Sequence, residues 1–405
     1  MAKLKRKPAD LPDEQEELLS ELEEDESPES GAAGVGIPKK HDSREGQIFI
    51  QRNDFLIPNI LEMVKKRRVL DISPTYQRRA RWNDTKRSHL IESLLMNVPI
   101  PPIFLFERAL ARYEVMDGQQ RLGAIRSFFE NEFELQDLKV WTELNGNRFK
   151  DLPPDIQSGL MRRGLAAVII LTESGQDESA ALRLRQYVFE RLNTGGVSLN
   201  AQEVRNCIYA SPFNDMLVEI ARAPLFTSIW GIPPKERHEP QKVSRLLTGN
   251  RLYATMSDCE IVLRYFALQN LDTFRGMKGT LDDCMRDKRS ANKEQCRGWS
   301  KEYLEVLETA KKIFGSSLFR LPSRRGEMSG RRSIPLADAT LLGLKASRQS
   351  WSKLIARRDD VIQRTKAALK REKTYEALVG RGNTKVAIDQ RIRIMRKVLQ
   401  RVAQG

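Results

Sequence analysis

The sequence predicts an α+β protein, with an α/β amino-terminal core followed by a mostly α-helical carboxy-terminal region. Three observations lead there. Apolar runs of strand length alternate with amphipathic helical stretches from about residue 50 to 172. Strand signals fade from about residue 176 onward. The last helical stretches are strongly basic. The predicted organisation is a disordered charged tail over 1–46, an α/β domain over 47–175, a helical region over 176–290 and a basic helical region over 291–405.

Within the α/β domain each element has a local reason. LIPNILEMVKK reads as a helix and RVLDIS as a strand. In NDTKRSHLIESLLMN, Leu90, Ile91, Leu94 and Leu95 share one helical face, and Asn83 or Asp84 supplies the N-cap. IPPIFLFERA is a strand entered through prolines, which are tolerated at a strand start. RYEVMD is a further strand. The helix QQRLGAIRSFFEN follows it, with Leu122, Ile125, Phe128 and Phe129 as its apolar face. PPDIQSGLMRRG starts a helix on proline, and LAAVIILT is a buried strand. Beyond it come the helical stretches SAALRLRQYVFERL, AQEVRNCIY, MSDCEIVLRYFAL and KEYLEVLETAKKIFG. In the last stretch of the chain, TKVAIDQRIRIMRKVLQRVA, Ile388, Ile392, Met395, Leu399 and Val402 form a seam. Arg391, Arg393, Lys397 and Arg401 are expected on the opposite face.

Charge narrows the partners. The 405 residues carry a net charge of +15, and eleven acids with no base lie between residues 9 and 29. Taken out of that total, those eleven leave the rest of the chain near +26. A body so basic points to DNA as partner, with Arg391, Arg393, Lys397 and Arg401 as phosphate contacts; the plainer alternative is a solvated basic surface. The acidic run has the charge to cover that body when no ligand is bound, although a solvated tail is the simpler reading.

The four cysteines are far apart and the three histidines are scattered, which argues against a zinc site and a disulfide framework. No run reaches membrane-span length and the first residues lack a signal-peptide core, so a cytoplasmic location is expected. There is no G-x-x-x-x-G-K-[ST], no G-x-G-x-x-G and no H-E-x-x-H. No protein-built metal centre is predicted.

Three constellations carry chemistry. The first is Asp117-Gly118-Gln119-Gln120-Arg121, at a strand-to-helix junction. Glycine permits a tight turn, and a helix start with an arginine beside it suits an anion. Asp117 can hold Mg2+, orient a water or fix the arginine. The alternative is an Asp–Arg pair with capping glutamines that locks a corner. The second is Thr75–Trp82, in which Gln77, Arg78, Arg79 and Arg81 lie between Tyr76 and Trp82. That pattern suits phosphate contact with base stacking, or else a loop whose tryptophan docks in the core. The third is ERLNTGGVSLNAQEVRN, where Gly195-Gly196 allow close approach of a ligand and capping explains part of the rest.

YQRRARW, LIESLLMNVPIPPIFLF, YEVMDGQQRLGAIRSFF and VFERLNTGGVSLNAQEVRN, in this order, resemble the GmrS-like domain of GmrSD-type modification-dependent restriction enzymes, which is related to the ParB/sulfiredoxin-like fold. The resemblance covers roughly residues 50 to 290. It implies a ParB-like core, binding and hydrolysis of a nucleoside triphosphate, and defence against foreign phage DNA. Carried over by position, it places Asp117–Arg121 in the pocket, and the chemistry of Asp117, Gln120 and Arg121 makes them the expected catalytic residues. Gln77, Arg78, Gly118, Gln119, Arg191, Asn193 and Gly196 would contact the nucleotide. Residues 290–405 contain no histidine, so cleavage by the family's H-N-H-type nuclease half is not expected. A separately encoded nuclease is then the natural partner, and self-association into a homo-oligomer stays open. The alternative function is a non-catalytic DNA- or partner-binding module in which nucleotide is only a switch.

Overall fold

The computed structural model describes residues 14–23, 49–66, 69–72, 82–171, 188, 200–237, 239, 244–323, 326–380 and 382–404. They fall into two compact units, one within 36–200 and the other joining 201–405 to the amino-terminal stretch 1–35. The predicted boundary at 175 lies outside the described residues. The division at 290 has no counterpart, because 201–405 forms one unit.

The first described helix, α1 (Glu14–Glu23), belongs to the helical unit. The α/β unit runs β1 (Ile50–Leu56), α2 (Ile57–Lys65), β2 (Leu70–Asp71), α3 (Asp84–Leu95), β3 (Ile103–Ala109), β4 (Arg112–Asp117), α4 (Gln119–Phe129), α5 (Pro154–Met161) and β5 (Gly164–Ile170). Its five strands form one mixed sheet in the order β1-β5-β3-β4-β2. β1 pairs antiparallel with β5, and β3 parallel with β5. β3 and β4 form an antiparallel hairpin, and β2 lies parallel to β4 at the far edge.

The helices sit where periodicity and capping put them. Asn83 is the N-cap of α3, its side chain accepting from the Lys86 amide at 2.9 Å. Arg163 donates to the Leu94 and Leu95 carbonyls at the other end of α3, at 3.0 and 3.1 Å. Leu122, Ile125 and Phe128 of α4 are fully buried, and Phe129 stacks on Phe149 with ring centroids 4.4 Å apart. They join Ile57, Ile91, Ile103, Leu105 and Leu165 in one core. One strand escaped the sequence reading. β1 is IQRNDFL, an edge strand without apolar alternation, whose register comes from pairing with the apolar β5.

The helical unit contains α1 and then α6 (Ala201–Ile208), α7 (Pro212–Ala221), α8 (Pro224–Trp230), α9 (Arg245–Gly249), α10 (Arg251–Ala254), α11 (Ser257–Ala267) and α12 (Gly276–Asp287). It continues with α13 (Lys293–Phe314), α14 (Ile334–Ala346), α15 (Trp351–Ala356), α16 (Arg358–Leu369), α17 (Glu372–Val379) and α18 (Lys385–Gln404). α14 is the central helix, buried continuously from Ile334 to Leu344. Its Asp338 takes two hydrogen bonds from Arg264 of α11, at 2.7 and 3.0 Å, with both side chains buried. Gly343 lets α18 approach, since a Cβ there would lie 3.1 Å from Met395 and 3.2 Å from Leu399. The four cysteines are free, and among the described residues no helix is long and apolar enough to cross a membrane.

Two expectations need correction. Residues 14–23 do not form a solvated tail. They are a helix whose Leu18, Leu19 and Leu22 are buried in the helical unit, because these leucines share one face. Arg391 does not stand opposite the α18 seam. It follows Ile388 by one helical turn, so it falls on the seam, is fully buried, and donates to the Gly382 carbonyl at 2.6 Å. Arg393, Lys397 and Arg401 are exposed as expected.

Glu92 offers a stability test. Burial works against its charge, yet N–H donors from Val140, Trp141 and Lys139, at 2.7–3.0 Å, outweigh that cost and hold its pKa below the ordinary 4.5. A depressed folded pKa gives stability that is complete at neutral pH and is lost as pH falls through the folded value. Glu92→Gln is therefore expected to lose about 1–2 kcal/mol at pH 7. Urea titration checks this: the gap from wild type should close on acidification, and a gap independent of pH contradicts the assignment.

Candidate functional site

The five-residue knot is built where β4 ends and α4 begins. Gly118 makes the turn with φ +95°, and its carbonyl accepts the first helical bond from the Leu122 amide at 2.9 Å. A Cβ at this position would sit 2.5 Å from Ile103 Cγ2 in β3. Both the conformation and the space therefore demand glycine.

Asp117 and Arg121, one turn apart, form an ion pair. The Arg121 guanidinium also donates to the carbonyls of Pro101 and of Pro102, the latter at 3.1 Å. These prolines lead into β3, so one side chain ties the strand entry to the helix start. The two partners differ in exposure. Arg121 keeps only 11% of its side-chain surface, while Asp117 keeps 54%. The carboxylate is thus the part of the pair that meets solvent.

The glutamines do not cap α4. Gln119 Nε2 donates to the Ile72 carbonyl at 2.9 Å, and Gln120 Oε1 accepts from the Trp82 amide at 3.1 Å. Ile72 and Trp82 bracket residues 73–81, the segment containing Gln77 and Arg78, which lies outside the described residues. The two glutamines therefore bond to the described residues on either side of it. Trp82 is half-buried against the core, with Lys86 Nζ 5.1 Å above its ring. Arg191, Asn193 and Gly196 also lie outside the described residues. The structure thus joins Asp117–Arg121 with Pro101–Pro102, Ile72 and Trp82, three sequence-distant stretches at one corner. The corner lock read as an alternative from sequence is present in the Asp117–Arg121 pair, with glutamines that reach outward instead of capping.

Sequence reasoning missed a buried polar cluster on α6. Arg205 contacts Asp282 at 2.7 Å, Glu260 at 3.1 Å and Gln202 at 3.1 Å, and Gln202 reaches Asn206 at 2.9 Å. Burial disfavours the Arg205 charge, but Asp282 and Glu260 outweigh that and raise its pKa. The signal in AQEVRNCI is four polar side chains among eight residues of a short helix, which pairing makes tolerable in a core. Among the described residues no group of His, Cys, Asp and Glu is arranged to hold a metal ion on its own.

The frame of the knot is a mixed sheet with a left-handed glycine between β4 and α4, braced by an Asp–Arg pair. Residues 59–210 match the family model of the GmrSD restriction endonuclease, N-terminal domain. This part of the chain is accordingly similar to the N-terminal domain of a restriction endonuclease. Comparison with curated proteins and with solved structures gave no match.

Gly118→Ala tests the geometry of the knot. Positive φ and the Ile103 contact together are expected to cost about 2–4 kcal/mol, read as a lowered thermal midpoint. Wild-type stability in this variant would contradict the described turn.

Proposed function

We propose that the D-G-Q-Q-R domain binds a nucleoside triphosphate and hydrolyses it in a DNA-dependent step of defence against foreign DNA. The observation that carries this reading is the meeting of Asp117–Arg121 with Pro101–Pro102, Ile72 and Trp82 at one corner, with the Asp117 carboxylate facing solvent beside a held guanidinium. In this reading Arg121 offers positive charge to the phosphates while keeping its place through Pro101 and Pro102. Gly118 and Gln119 border the ligand. Gln120 fixes the near end of the reacting group through its anchored side chain. Gln77 and Arg78 are brought to the phosphates by the segment whose flanking residues the glutamines bond, with Arg191, Asn193 and Gly196 as the further contacts. A single exposed carboxylate suits Mg2+, which keeps several waters and binds through one or two carboxylates plus phosphate oxygens. When bound, Mg2+ would neutralise charge developing on the phosphates, with Asp117 as its protein ligand. Arg393, Lys397 and Arg401 serve as DNA phosphate contacts, and the net charge of +15 supports a polyanionic partner. Cytoplasmic location and a separately encoded nuclease partner belong to the same reading.

One observation favours a second reading, a non-catalytic module with nucleotide as a switch. Arg121 already spends its donors on Asp117 and two carbonyls, as a purely structural arginine would.

Phosphate release, measured with and without DNA, separates the two. Wild type is expected to turn over. Asp117→Asn, which keeps the size of the side chain, is expected to lose turnover on the order of 100-fold while still binding nucleotide. Binding without turnover in wild type leaves only the switch, and no nucleotide binding at all sinks both readings.

A further inference from the structure

We infer that α1 is an intramolecular acidic plug on a DNA-binding surface of the helical unit, formed by Arg251, Arg320, Arg331 and Arg332. This rests on the reading that DNA is the partner, and it adds a surface that the exposed basic face of α18 does not contain. Four carboxylates of α1 meet those four arginines. Glu14 contacts Arg332 at 2.9 Å and Arg320 at 3.8 Å, Glu17 contacts Arg331 at 2.8 Å, and Glu16 contacts Arg251 at 3.5 Å. Glu21 also pairs with Arg331.

The contacts have the character of anion binding. Glu14 Oε1 accepts from both the backbone amide and the guanidinium of Arg332, each at 2.9 Å. Glu21 Oε2 accepts from the Ile334 amide at 2.7 Å, at the start of α14. Two carboxylates therefore occupy a cradle of paired backbone N–H groups, guanidinium forks and the positive end of a helix. A phosphodiester chain offers the same chemistry. The hairpin-like loop that carries Arg320, Arg331 and Arg332 is fixed independently of α1. Leu321 N donates to Arg331 O at 2.9 Å, and Ser333 N donates to Phe319 O at 2.9 Å. Arg320 Nη1 also donates to Gly330 O at 2.8 Å. The cradle thus has its own scaffold.

The plug is held by three leucines and by contacts made largely through charge. Among the described residues, Leu18, Leu19 and Leu22 anchor it by apolar burial. Ten residues are too few for a stable isolated helix, so undocking also unfolds it. The outer pairs, Glu16 with Arg251 and Glu17 with Arg331, meet solvent and weaken with salt. A polyanion can therefore displace α1, and its departure exposes four positive charges that α1 had neutralised.

The test uses the full chain and a short labelled DNA duplex, followed by anisotropy across a salt series. Leu18→Asp with Leu22→Asp releases α1. Glu14→Gln with Glu17→Gln removes charge while leaving the leucines, and serves where the first pair harms folding. Release is expected to tighten binding on the order of tenfold and steepen the log affinity against log salt slope by about 3 to 4. The glutamine pair should shift both in the same direction, by less. Adding Arg331→Ala and Arg332→Ala to the released form should return affinity toward wild type. Wild-type binding that neither release nor charge removal alters overturns the plug alone. Absence of DNA binding in every form overturns the plug and the DNA reading together, while nucleotide binding and phosphate release without DNA are read independently of both.

Discussion

The α/β unit depends on what one guanidinium holds. Arg121 is nearly out of water, and its charge is met by Asp117 and by the carbonyls of Pro101 and Pro102. An ion withdrawn from water this far must be satisfied locally or the corner comes apart. The geometry of the neighbours follows. Asp117 must end β4 one turn before Arg121, Gly118 must take a positive φ against Ile103, and the prolines must bring β3 in beside it. Gln119 and Gln120 then extend the same corner to Ile72 and Trp82. Function, in the proposed reading, uses what this brace leaves over: an exposed carboxylate and a segment whose flanking residues the glutamines bond.

The helical unit solves a similar problem with different partners. α14 is buried along almost its whole length, so its one acidic side chain, Asp338, is matched by the forked donors of Arg264. Removing either partner of such a pair leaves a lone buried charge, at a cost of about 3–5 kcal/mol. Arg205 with Asp282 and Glu260, and Arg222 with Glu239 at 3.1 Å, repeat the device. Buried arginines are therefore part of the architecture here. Net charge overstates the surface available to a polyanion, which is why Arg391 must be separated from Arg393, Lys397 and Arg401.

Much of the α/β unit was legible because periodicity and local chemistry act within a few residues. Asn83 as a cap, proline-led β3, and the Leu122, Ile125 and Phe128 face all depend on near neighbours. What stayed hidden depends on distant ones. β1 is polar and gains its register from β5. Arg391 looks like a surface residue until the phase of the α18 seam places it inside, over the Gly380 and Gly382 carbonyls. α1 reads as acidic tail because its arginine partners lie more than two hundred residues away in sequence. At the knot, residue types showed that Asp117 and Arg121 could pair. That the glutamines reach Ile72 and Trp82 instead of the helix end could not be read from spacing.

In the proposed reading, nucleotide is sensed through the braced corner. Hydrogen–deuterium exchange with and without nucleoside triphosphate tests it most directly. The account predicts slowed exchange in two places together, across the segment from Ile72 to Trp82 and at the start of α4. Gln119→Ala with Gln120→Ala should uncouple them, leaving protection at α4 alone. Protection confined to other parts of the chain, with both of these segments unchanged by nucleotide, would contradict it.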